Sequence, residues 1–232
     1  PVVARVGLAG GRGGGSDRGV SGKARVRARR MPRAERERQM LDAAVRVIGR
    51  HGYQAASMDE IAEAAGVSKP LVYLYLHSKE ALFTACVERE ARTLIAAISE
   101  AVGQRDPADG QLWSGLLAFF RYADERADGW RVLHVQARTH GEPFARLADT
   151  MRARVLGFVT ALLTSAARAA DGTRDLGEHE LTGLAHALVG AAESLATRAA
   201  DDPALTPTAS ARTLMDFAWT GLGGLVAGER WS

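Results

Sequence analysis

The chain has 232 residues, 47% of them hydrophobic and 25% charged, which is enough to bury a substantial core and argues against a wholly disordered protein. The net charge of +3 is unevenly spread: residues 1–33 hold nine Arg or Lys against one acid, Asp17, while the rest holds 21 basic and 26 acidic residues. A single cysteine, Cys86, excludes an internal disulfide, and the uncharged segment Val155–Ala167 spans 13 residues, short of the roughly 18 that indicate a membrane helix. No apolar segment of the signal-peptide kind follows the basic arm, so the chain is expected in the cytoplasm, with no membrane association.

Residues 1–32 are rich in Gly and Arg, contain GGRGGG, and have too little apolar surface to offset the entropy of ordering; a disordered basic arm is expected. A solvated tail explains it as well as a role in contacting phosphates. GGRGGG lacks the flanking strand, helix and Lys-Ser/Thr of a phosphate loop. From Pro32 to His51 the pattern turns helical, with Leu41, Ala44, Val45 and Ile48 at i, i+3, i+4 and i+7. Ser57 and Glu60 have capping-box spacing and start a second helix, which Gly66 ends because it adopts positive φ without a side-chain clash. Ser68 is placed to cap a third helix with Pro70 in its first turn, where a missing N–H breaks no hydrogen bond. On that helix Val72 and Leu76 point inward with Val67, while Lys69, Pro70, Tyr73 and Leu74 face out. A cation and a phenol on one outward face suit DNA.

A fourth helix is expected from Ser78 to about Val102, followed by a break over Gly103–Gly110. Further helical patterns cover 111–126, 130–140, 142–169, 178–200 and 208–227, separated by breaks at Asp128-Gly129, Gly141, Asp171-Gly172 and Asp201-Asp202-Pro203. No strand is expected, so the fold class is all-α.

Met58 to Leu82, above all IAEAAGVSK followed by Tyr73 and Ser78-Lys79-Glu80-Ala81-Leu82, resembles the DNA-binding signature of TetR-family transcriptional regulators. The resemblance covers about Arg33 to Leu82, and the remainder is similar in helical layout alone. It implies a helix-turn-helix DNA-binding domain over 33–82, joined by the fourth helix to a larger helical ligand-binding and dimerisation domain over 83–232. By position it implies that Lys69, Pro70 and Leu71 approach base edges and that Tyr73, Tyr75 and Lys79 touch the DNA backbone. Ser57 and Met58 match a helix start near that backbone. Leu71 stands where Thr is frequent, leaving an apolar surface suited to a thymine methyl, and Leu74 is a second departure of the same kind.

One recognition helix reads only a few base pairs, so a selective regulator needs two copies at half-sites roughly 34 Å apart or a multiple of that. A homodimer on a pseudo-palindromic double-stranded operator follows. Leu181–Ala196 and Leu214–Gly228, which mix large apolar residues with Gly and Ala, are the expected interface, sharing their surface with ordinary core. In the larger domain, Trp113, Phe120, Trp130, Met151 and Phe158 can enclose an apolar cavity, with His134, Arg138 or His186 orienting a polar head; the same residues also fit a plain core. Some relatives with this helical pattern respond to fatty acyl compounds, which gives a lead to the effector class.

The six histidines lack metal-ligand spacing, Cys86 reads as core, and neither a cofactor nor a metal is expected. No catalytic triad, carboxylate pair or cofactor fingerprint can be placed, which argues against an enzyme. The expected function is therefore a ligand-responsive dimeric repressor released by a small apolar or amphipathic effector. The alternatives are a nonspecific or architectural nucleic-acid binder driven by the basic arm and, behind it, a helical enzyme.

Overall fold

A computed structural model of the protein describes residues 31–103, 105–169 and 177–226. The expected basic arm falls on residues 1–30, outside the described ones. Among the described residues the fold is helical throughout, without strands.

Helix α1 (Arg33–His51) buries Leu41, Ala44, Val45 and Ile48, the stripe read from its periodicity, and Met40 beside them. Helix α2 (Met58–Ala64) starts at Ser57, whose hydroxyl accepts from the Glu60 N–H at 3.1 Å. Only this half of the capping box forms, because the Glu60 carboxylate turns instead to His51 Nε2 at 3.4 Å. Gly66 takes φ +63° and turns the chain into α3 (Lys69–Leu76), with Pro70 in its first turn. Ser68 holds the N-cap position with extended angles, but its hydroxyl makes no capping hydrogen bond, so the expected cap is positional only. Helix α4 (Lys79–Ala101) is capped by Ser78, which accepts from Ala81 N–H at 3.0 Å.

Beyond it lie α5 (Ala108–Glu125), α6 (Ala127–Arg131), a π-helical turn (Val132–Gln136) and α7 (Ala137–Thr139). Then come α8 (Phe144–Ala169), α9 (Glu178–Ala199) and α10 (Pro207–Val226). Two boundaries differ from expectation. Helix α5 begins directly after Pro107 and takes Gly110 into its first turn. The expected break at Asp128-Gly129 lies inside α6, where Gly129 is buried: a Cβ there would collide with the Glu90 carboxylate. That glycine marks close packing of α6 on α4 rather than a chain stop.

One core cluster runs from Met40 in α1 through α4 and α5 to Ala218 in α10, so the helix-turn-helix region and the later helices share a continuous interior. Tyr53, Phe83 and Phe144 sit at the junction, with ring centroids 4.6 Å apart for Tyr53–Phe83 and for Phe83–Phe144. A small second cluster joins Leu163 of α8 to Leu181 and Ala185 of α9. No helix of the described residues is long and apolar enough to cross a membrane.

Candidate DNA-binding face and effector cavity

Helix α3 is held by one side and offered on the other. Val72 (0% exposed) and Leu76 anchor it to the core, and Lys69, Pro70, Tyr73 and Leu74 are exposed, Leu74 at 67%. Leu71 and Tyr75 are half-buried, and Arg33 of α1 lies over the Tyr75 ring, 5.2 Å from its centroid. Ser57 is exposed at the head of α2. Met58 requires a correction: its side chain is 6% exposed and belongs to the core, so only its backbone at the helix start can approach DNA.

Two cations of this face already have partners. Lys69 Nζ donates to Asp59 Oδ2 at 2.8 Å, and this bond, together with the carboxylate charge, raises the Lys69 pKa. Lys79 Nζ donates to the Gln54 carbonyl at 3.2 Å and lies 4.7 Å from the Tyr53 ring centroid. Lys79 therefore ties α4 to the turn before α2 as well as facing outward.

The larger helices enclose an apolar cavity of about 120 Å³. Helix α4 contributes Ala91, Leu94, Ile95 and Ile98, α5 contributes Leu112, Leu116 and Phe119, and Trp130, Leu133 and His134 close one wall. Helix α8 lines it from Ala148 through Met151, Val155 and Val159 to Leu163, and α9 adds Leu188, Val189 and Ala192. Of the residues expected here, Trp130, His134, Met151 and Phe158 line the cavity, as does Arg138. Trp113, Phe120 and His186 do not. Trp113 and Phe120 share a stripe on α5 one position round from Leu112, Leu116 and Phe119; Phe120 is 2% exposed in the core. His186 is exposed and borders a shallow groove between α8 and α9 on the other side of α8. Periodicity identified the apolar faces of α5 and α9 but could not say which of two adjacent stripes meets empty space.

Polar groups collect at one part of this cavity. Arg152 of α8 forks onto Glu193 of α9, with Nε–Oε1 at 2.9 Å and Nη2–Oε2 at 3.2 Å. The His134 ring stacks on Trp130 with centroids 4.7 Å apart and planes 10° from parallel. Burial lowers its pKa, Glu193 opposes that shift, and Arg138 and Arg152 add to it, so the ring is held neutral. His134 lies within the π-helical turn, and such turns recur at functional positions.

The wall that holds Trp130 and His134 also touches the DNA-binding region. Gln136 Oε1 accepts from the Tyr53 N–H at 3.0 Å, Asp128 pairs with Arg50 of α1 at 3.5 Å, and a Cβ at Gly49 would meet Asp128 backbone at 2.7 Å. A second tie passes through α4. Glu90 is fully buried and accepts a two-pronged bond from Arg126 at 2.8 and 3.0 Å, a bond from Arg89 at 2.8 Å and one from the Tyr122 hydroxyl at 3.1 Å. Burial pushes this carboxyl upward, but the two guanidinium groups outweigh it and hold its pKa below the usual value. Arg89 continues the chain to Asp42 of α1 at 2.8 Å. Apart from the adjacent Arg89 and Glu90, these pairs join residues distant in the chain with no local spacing to mark them.

Cys86 is buried and its thiol is pushed up to about 12 by burial, which leaves it an inert core residue. No group of three or more potential ligands for a metal occurs among the described residues.

Comparison with known proteins matches this geometry in two parts. The family described as "Bacterial regulatory proteins, tetR family" matches residues 40–86, and "Tetracyclin repressor-like, C-terminal domain" matches residues 108–221. The HTH-type transcriptional activator FasR of Mycolicibacterium smegmatis is 37% identical over 107 residues, covering 46% of this chain and 49% of FasR, so the match spans about half of that relative's length. The HTH-type transcriptional regulator BetI of Brucella canis is 30% identical over 149 residues, covering 60% of this chain and 75% of BetI. Among solved structures, a TetR-like transcriptional regulator from Rhodococcus sp. RHA1 superposes with a TM-score of 0.73 at 36% identity, covering 84% of this chain and all of that one. FadR of Bacillus subtilis, solved with stearoyl-CoA, shares the fold with a TM-score of 0.64 at 19% identity over 83% of this chain and 99% of its own. With its helix-turn-helix and C-terminal halves both matched, the chain belongs to the TetR family of transcriptional regulators rather than to any family of enzymes.

Proposed function

We propose that the protein is a homodimeric repressor that binds a pseudo-palindromic operator through α3 and is released when an apolar or amphipathic molecule enters the cavity. The observation that carries the DNA reading is the two-sided character of α3, with Val72 and Leu76 in the core and Lys69, Pro70, Tyr73 and Leu74 exposed together. On this reading Lys69, Pro70, Leu71 and Leu74 meet base edges or sugars, and Tyr73, Tyr75, Lys79, Ser57 and the Met58 backbone meet phosphates. The operator then lies on the chromosome in the cytoplasm. Helices α9 and α10 supply the interface, where Phe217 is 76% exposed, a cost to the lone protomer that a partner helix removes.

The cavity is nearly all apolar except for the groups around His134, which fits an effector with a long apolar part and one polar end. The fold relative with bound stearoyl-CoA supports a fatty acyl class. At about 120 Å³ the cavity is smaller than one of roughly 150 Å³ that admits benzene, and far below the roughly 300–1,000 Å³ of typical ligand sites. An acyl ligand must therefore displace α8 or the Trp130–His134 wall, so it favours a conformation different from this one. That differential affinity is what shifts the population between DNA-competent and released forms. The shift reaches α1 through Gln136, Asp128 and the Glu90 cluster.

The test is a titration of labelled DNA from upstream of the protein's gene, followed by anisotropy, with and without a long-chain acyl compound. Two protomers per site and release by the compound are expected. Binding that ignores sequence, or that no long-chain amphiphile alters, refutes the corresponding half of the proposal.

A further inference from the structure

The cavity has one charged end and one apolar end. His134 and Arg138 are four residues apart, on the same side of the π-turn and α7, and both line it. The other arginine there, Arg152, is neutralised by its two-pronged bond to Glu193, whereas Arg138 forms no ion pair among the described residues. With Arg152 and Glu193 paired, the charged groups left in the lining are Arg138 and Asp149, both exposed, and of these it is Arg138 that acts on the His134 ring. From Arg152, α8 presents Val155, Val159 and Leu162 along roughly 15 Å of helix, a track for an apolar chain leading away from that charge.

We propose that Arg138, with the His134 ring stacked on Trp130 beside it, is an anion-binding subsite that selects chain amphiphiles with a negatively charged head over neutral ones of equal length. This rests on the effector reading above. Arg138 supplies a charge-assisted donor that no carboxylate among the described residues occupies, and His134 can add a neutral N–H. Arg152 stays with Glu193 and holds α8 to α9 while the ligand binds. The shared chemistry is the anionic head, whether a carboxylate or the phosphates of a thioester carrier.

The test uses the full chain and isothermal titration with dodecanoate, dodecanoyl-CoA and 1-dodecanol, each below its aggregation limit. At least one anion is expected to bind about tenfold or more tightly than the alcohol, as a charge-assisted hydrogen bond allows. Arg138→Ala should remove that advantage while changing the alcohol's affinity less than twofold, and Arg138→Lys should retain part of it. Tight binding by dodecanoate alone assigns the head to a carboxylate, and tight binding by dodecanoyl-CoA alone assigns it to the phosphates; both support the subsite. Equal affinity for the alcohol and the anions, or an anion preference that survives Arg138→Ala, overturns the subsite and leaves the cavity reading standing. Binding of none of the three overturns the effector reading and the subsite with it. Arg138 is exposed, so an unchanged melting temperature shows that the variant remains folded.

Discussion

Replacing Glu90 by Ala should destabilise the protein more than any other single change among its ion pairs. The carboxylate is fully buried, with Arg126, Arg89 and the Tyr122 hydroxyl around it, so its loss removes the acceptor of two guanidinium groups and a buried phenol. Removing one partner of a buried ion pair costs about 3–5 kcal/mol. For a domain of this size each kcal/mol lowers the melting temperature by roughly 2–4 °C, so a drop of about 6–20 °C is expected in thermal unfolding at fixed protein concentration. Arg126→Met should cost less, because Arg89 still engages Glu90 and the Arg126 side chain is already 40% exposed. A double-mutant cycle then gives a favourable coupling, with the pair of changes costing less than their sum. A melting temperature within about 2 °C of wild type for Glu90→Ala would refute the view that this cluster pins α4 to α5.

Other consequences follow from the same contacts. The Glu90 carboxyl has a lowered native pKa, so its contribution is present at neutral pH and is lost as pH falls from about 4.5 through that lower value; acid unfolding of Glu90→Gln should show a shallower slope there. His134 is also lowered, which means the unfolded chain protonates first: stability should fall as pH drops below about 6.5, and His134→Gln should flatten that part of the curve. Asp59→Asn frees Lys69 and removes a negative charge beside the DNA face, so operator affinity should rise severalfold at low salt, an effect that fades as salt is added; no rise would argue against Lys69 at the DNA. Gln136→Ala leaves the Tyr53 N–H without its acceptor, and it should weaken the effector's influence on DNA binding more than it weakens either ligand alone. Deleting residues 1–32 should leave a sequence-selective complex with a smaller salt dependence; loss of all binding would favour a nonspecific, arm-driven binder instead.

The DNA-binding region was legible in the sequence because its determinants are local. Capping at Ser57 and Ser78, the positive φ of Gly66 and the four-residue spacing of Val72 and Leu76 each depend on neighbours within one or two turns. For Met58, a family position near the DNA backbone says nothing of where the side chain turns, and here it turns inward. The cavity was only partly legible. Met151 and Phe158 were found by their apolar spacing, and Trp130 and His134 were chosen as an aromatic wall and a group for a polar head, but Trp113 and Phe120 belong to the stripe beside the one that lines it. Telling those stripes apart requires the packing angle of α5 against its neighbours, which no local pattern encodes. Gly129 shows the limit most plainly: as a residue type it marks a break, and only the buried carboxylate across from it explains why nothing larger fits.

The account stands on α3 as the DNA-reading surface, and Leu74 tests it most directly. Leu74 is 67% exposed and supports no core contact, so Leu74→Glu changes the outward face without unfolding the helix. Anisotropy titration of the upstream duplex should show affinity falling by about a hundredfold or more, through lost apolar contact and a negative charge set against phosphates, with the melting temperature unchanged. Wild-type affinity in a folded Leu74→Glu protein would contradict the assignment of this face to DNA.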